Sequence, residues 1–163
     1  MFFRKLPATA VVVALTFFSS SLIAQEHIVS PTDLHNDLIP TARADEKTIQ
    51  AALYSPEAKG VYGSDMERYL HQAGFSTFRF AGDWSDLRQH LSKGRPLIVC
   101  LQPKSPHDPL HYVVVTGLGK NQDSVLLNDP ARGKLIRENG GRFEKEWKAT
   151  GHWTLLVLPQ HGP

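Results

Sequence analysis

A histidine and an aspartate at a fixed spacing are the residues of this chain best suited to chemistry. His111 opens the run His111-Tyr112-Val113-Val114-Val115-Thr116-Gly117, and Asp129 lies 18 positions later in Asn128-Asp129-Pro130-Ala131. At the ends of two neighbouring strands they make a general base and the acid that orients it. A base of this kind activates a thiol, because the thiolate and not the thiol is the nucleophile. The chain has one cysteine, Cys100. It sits in Leu97-Ile98-Val99-Cys100-Leu101, which reads as a strand covered on both faces. There the thiol is expected to be a buried, inert small hydrophobe, in the sheet beside the histidine and not across a groove from it. A lone cysteine also excludes an intramolecular disulfide.

Each of these residues has a plainer reading. A histidine at the first position of a strand can simply hydrogen-bond a loop carbonyl, and an aspartate before Pro130 forms turns by its own side-chain chemistry. His107, Asp108, His111, Asp129 and His152 invite a zinc reading. Pro106 and Pro109 keep the His107-to-His111 spacing from being helical, so the i, i+4 logic of helical zinc sites does not apply, and no metal is expected. Trp84, Trp147 and Trp153 fall within or beside periodic apolar segments and read as core and groove wall, not as a stacking platform.

The elements that must position the pair follow from periodicity. Asp45 is placed to cap a short helix to Leu53, with Ile49, Ala52 and Leu53 at helical spacing. Ser64-Asp65-Met66-Glu67 reads as a capping box for a second helix that ends at Gly74, where a left-handed C-cap belongs. Phe75 to Phe80 alternates as a strand, and a third helix starts at Asp83 or Ser85 and stops before Gly94. The period then changes to two. Pro96 to Gln102, His111 to Leu118, Ser124 to Asn128, Lys134 to Ile136 and Trp153 to Leu158 read as strands, interrupted by a small helix from Gly141 to Ala149. The first two of these pair across the loop Pro103 to Leu110. Helices first and an antiparallel sheet second is the α+β plan.

The N-terminus reads as a targeting segment. Arg4 and Lys5 precede an apolar stretch from Ala8 to Phe18, and Ser19 to Ala24 supplies small residues for cleavage before Gln25. Residues 1–24 are therefore read as a signal peptide and the product as exported, periplasmic or secreted. The serines leave the apolar run short of a spanning helix, so membrane attachment is expected only if the segment stays uncleaved. Residues 25–44, with Pro31 and Pro40, read as an irregular connecting segment, and 45–160 as one domain. A net charge of +2 with interspersed signs shows no basic stripe, so nucleic acid is not an expected partner.

Four blocks together resemble a known family: Gly94-Arg95-Pro96-Leu97-Ile98-Val99, His111 to Gly117, Leu126-Leu127-Asn128-Asp129-Pro130-Ala131-Arg132-Gly133-Lys134, and Phe143-Glu144-Lys145-Glu146-Trp147. They are similar to the bacteriocin-processing cysteine peptidases, the peptidase C-thirty-nine-like group with a papain-like fold. The likeness runs from about Asp45 to Leu158. The resemblance implies that His111 is the general base and Asp129 its orienting acid. It also implies a helix cysteine as nucleophile and an upstream glutamine in the oxyanion hole, and these two map onto nothing. The segment Gln25-Glu26-His27-Ile28-Val29-Ser30-Pro31 carries no Cys-Gly pair, and Gln25 is the only candidate glutamine.

The expectation is thus a papain-like domain with its base and acid but with the nucleophile helix deleted or replaced. Such a domain is read as a non-catalytic relative that binds a peptide or protein segment in the old substrate groove. Its alternatives are a working cysteine peptidase whose nucleophile lies elsewhere, and a remnant of such a peptidase with an exposed sheet face. No cofactor is implied. Some family members are fused to transport ATPases, but no Gly-Lys-Ser/Thr phosphate loop occurs here, so ATP is not an expected ligand.

Overall fold

A computed structural model of the chain describes residues 46–57, 60–103, 109–129, 131–132 and 134–160. Residues 1–24, the segment 25–44, the Asp45 cap, His107 and Asp108 lie outside the described residues.

Two helices come first, α1 (Glu46–Leu53) and α2 (Gly63–Gln72), followed by β1 (Phe75–Ala81) and α3 (Trp84–Leu91). The remaining elements are β2 (Leu97–Leu101), β3 (His111–Leu118), β4 (Ser124–Asp129), β5 (Lys134–Asn139), α4 (Gly140–Lys148) and β6 (Trp153–Pro159). The strands form one six-stranded sheet in the order β1-β6-β2-β3-β4-β5, and every neighbouring pair is antiparallel. The last strand therefore inserts between β1 and β2, which ties the helical half to the strand-rich half.

Local chemistry explains most boundaries. Asp83 and Asp86 exchange hydrogen bonds with each other's backbone N–H groups, a full capping box at the start of α3. Gly74 has φ +85° and closes α2 as expected, its N–H donating to the His71 carbonyl. Ser64, by contrast, caps nothing. Helix α2 begins at Gly63 with Tyr62 as its N-cap and no side-chain cap bond. Gly63 packs closely there: a Cβ on it would come within 3.1 Å of the Trp153 ring. The β5 strand runs to Asn139, three residues past the expected end, because all six of its residues pair with β4. Charged Arg137 and Glu138 are tolerated there because β5 is an edge.

The period-two alternation divides the core between the two faces of the sheet. On one face, α1 and α2 cover Ile98, Cys100, Tyr112, Val114, Trp153 and Leu155. On the other, α3 and α4 cover Leu97, Val99, Leu101, Val113, Val115 and Leu127, with Leu87, Phe143 and Trp147 supplied by the helices.

Candidate functional site

His111 is the first residue of β3 and Asp129 the last of β4. Antiparallel neighbours place the start of one strand beside the end of the next, with Val114 opposite Asn128 fixing the register. The pair then meets: His111 Nε2 lies 2.8 Å from Asp129 Oδ1, with side-chain exposures of 16% and 9%. A carboxylate only accepts, so this contact puts a proton on Nε2 and leaves Nδ1 as the basic nitrogen.

The turn after β4 holds the carboxylate in place. Oδ1 also accepts from the Ala131 N–H at 2.9 Å, and Arg132 brings Nε within 3.5 Å of Oδ2. The Arg132 N–H bonds the Asp129 carbonyl at 3.1 Å, which closes the turn. Arg132 is the site residue that sequence reasoning missed. A cation three residues after a turn-forming carboxylate was its available signal.

Cys100 lies beside this arrangement in the sheet, but on the opposite face. It pairs across from Tyr112, while Leu101 pairs with His111. Adjacent residues of a strand point to opposite faces, so the sulfur enters the α1–α2 core and the imidazole lies on the α3–α4 side. Cys100 is fully buried. Burial pushes its thiol up to about 12, and a hydrogen bond with the Tyr112 hydroxyl opposes that only weakly. Burial also holds the Tyr112 phenol above its ordinary range.

The remaining zinc candidate is engaged elsewhere. His152 Nε2 lies 2.9 Å from Glu144 Oε1, whose other oxygen accepts from Trp84 Nε1 at 2.9 Å. This second imidazole–carboxylate pair spans the end of α4, where Gly151 and His152 both have positive φ. Sequence spacing gave no sign of it, because the contact depends on that left-handed turn. Among the described residues, no group of three or more His, Cys, Asp or Glu gathers as a metal site. Trp147 and Trp153 are core residues, and Trp84 is half-buried against Phe143 at the rim.

A helical layer on each face of an antiparallel sheet, with a strand-end histidine bonded to an aspartate, is the frame of a papain-like cysteine peptidase domain. The sequence profile of the Peptidase_C39 like family matches residues 8–155, and the chain belongs to this family. The single cysteine in that matched stretch is Cys100. Among solved structures, the peptidase domain of Streptococcus ComA, a bi-functional ABC transporter involved in a quorum-sensing pathway, superposes with a TM-score of 0.61 at 18% identity. That alignment covers 98% of this chain and 100% of the other. The Streptococcus mutans ComA peptidase domain gives a TM-score of 0.49 at 21% identity over 61% of this chain and 76% of its own. No curated protein matches. The likeness to the first structure establishes the papain-like fold.

Proposed function

We propose that this family member is an exported, non-catalytic relative that holds an extended peptide or protein segment in the groove beside His111 and Asp129. The observation that carries this reading is the placement of the only thiol. Its sulfur is on the far side of the sheet from the imidazole, in a dry core that keeps it protonated. An imidazole can deprotonate only what lies beside it. Loss of the nucleophile alone costs on the order of a million-fold in a serine protease. The intact His111–Asp129 bond supports this reading by keeping a polar corner at the ends of β3 and β4, and extended peptides bind through main-chain hydrogen bonds. The signal-like residues 1–24 support export, and N-terminal sequencing of the mature protein is expected to begin at Gln25.

A fluorogenic peptide library tests the reading. Turnover by the wild type is expected to equal that of the His111→Ala and Cys100→Ala variants. Turnover abolished by both substitutions would establish an active cysteine peptidase instead, and turnover surviving both is contamination. Peptide-array binding is expected with the wild type and is expected to weaken with Asp129→Ala. A wild type that neither cleaves nor binds sinks the proposal.

A further inference from the structure

Among the described residues, the sheet ends in two edges of opposite character. Edge strand β5 carries Lys134, Arg137 and Glu138, the charge pattern that discourages strand pairing. Edge strand β1 pairs with β6 without a bulge over all seven residues and contains no Lys, Pro or Gly. Its one charge, Arg79, is drawn onto α2 by Glu67 at 3.4 Å, and Thr77 is drawn there by His71 at 2.9 Å. Phe78 is left 53% exposed, the most exposed large apolar side chain among the described residues.

The hydrogen-bond phase shows which backbone groups face outward. Gly74 accepts from the Gln160 N–H and the Gly82 N–H donates to His152, so even-numbered positions bond β6. Phe75, Thr77, Arg79 and Ala81 therefore aim their N–H and C=O groups away from the sheet. The Phe75 carbonyl accepts from the Gln160 side chain at 3.2 Å, which leaves Thr77 and Arg79 as the centre of the edge that no described residue pairs with.

We infer that this edge pairs with β1 of a second copy of the chain, antiparallel about a two-fold axis through Phe78. That register sets Thr77 opposite the second copy's Arg79, and Arg79 opposite its Thr77, each pair bonded through the outward backbone groups. No like charges meet. Phe78 faces its own equivalent in a non-hydrogen-bonded pair, where Cα atoms approach to about 4.5 Å and the rings bury one another. An axis through Arg79 would set two guanidinium groups against each other. The result is one continuous sheet across two domains, with both His111 sites remote from the junction.

Sedimentation velocity on the full chain, over a wide concentration range, tests this. The wild type is expected to pass from monomer to dimer as concentration rises. Phe78→Lys and Phe78→Glu are each expected to weaken the dimer by more than about tenfold, with thermal unfolding unchanged at concentrations where the wild type is monomeric, because the side chain is exposed there. An equal mixture of the two variants is expected to recover a heterodimer, since Lys and Glu then face each other across the axis. The inference is overturned by a wild type that stays monomeric, by a dimer that Phe78→Lys leaves intact, or by a mixture that stays monomeric.

Discussion

His111 and Tyr112 are adjacent in β3, yet they belong to different environments. Tyr112 enters the α1–α2 face, where it packs edge-on against Trp153 at 5.2 Å between ring centroids and lies opposite Cys100. His111 lies on the α3–α4 face at the strand end, in contact with a carboxylate that a backbone N–H and an arginine also hold. A thiol on the first face is a packing group, and an imidazole on the second is a polar one. A shift of one residue in the β2 register would bring the sulfur to the histidine's face and push Leu101 into the helical core. Strand parity, more than separation along the chain, decides which side chains can react together.

The largest expected effect tests whether the two faces are independent cores. Trp147 is fully buried on the α3–α4 face and donates to the Trp153 carbonyl at 3.2 Å. Trp147→Ala is expected to cost about 3–5 kcal/mol in urea unfolding. Because β6 runs between β1 and β2, unfolding should remain a single transition for both faces. Two separate transitions would show that the faces melt apart and would revive the reading of the chain as a remnant.

Next in size is the thiol. Cys100→Ser places a hydroxyl in the apolar core and is expected to cost about 1–3 kcal/mol, whereas a cysteine facing a wet groove would tolerate it. The sign of the pH effect follows from the raised thiol pKa. The folded state keeps the proton up to about 12, while the unfolded thiol releases it near 9. Stability from this group is complete below pH 9 and falls as pH rises from 9 towards 12. Cys100→Ala should flatten that part of the urea-midpoint profile. Rapid alkylation of the folded protein at neutral pH, dependent on His111, would contradict the placement of the sulfur.

How much of this was legible in the sequence depends on the range of the interaction involved. The Phe75 to Phe80 alternation, the Asp83 cap and the left-handed Gly74 are local and were readable. So was the pairing of β2 with β3, because a short loop leaves few alternatives. The burial of Cys100 followed from its apolar neighbours. Ser64 does not cap because the helix already begins at Gly63, a residue that packs against Trp153, ninety residues away along the chain. The β5 extension was hidden because Arg137 and Glu138 lack the apolar alternation of a covered strand, and only β4 makes them one. The polar pairs divide the same way: His111 and Asp129 stood out by type and spacing, whereas Trp84 and His152 meet the two oxygens of Glu144 only through tertiary packing.

Removing the carboxylate tests the polar face directly. Asp129→Ala leaves His111 Nε2 and the Ala131 N–H without their acceptor, and the His111 side chain is only 16% exposed. A loss of about 1–3 kcal/mol is expected in thermal or urea unfolding. Asp129→Asn keeps an acceptor oxygen and is expected to lose less. If both variants unfold like the wild type, the bond at 2.8 Å contributes nothing and the plainer reading, a turn former beside a strand-end histidine, is sufficient.

The smallest effect belongs to the other imidazole–carboxylate pair. His152–Glu144 has nearly the same separation as His111–Asp129, 2.9 against 2.8 Å, but its side chains are 28% and 35% exposed. Water competes for both partners there, and a solvent-accessible side-chain pair of this kind contributes about 0–1 kcal/mol. Glu144 also accepts from Trp84 Nε1, itself half-buried, so solvent can replace that acceptor as well. Glu144→Ala is therefore expected to shift the unfolding midpoint by about 1 kcal/mol or less and to leave peptide binding unchanged. A loss as large as that of Asp129→Ala would mean that burial does not separate the two pairs.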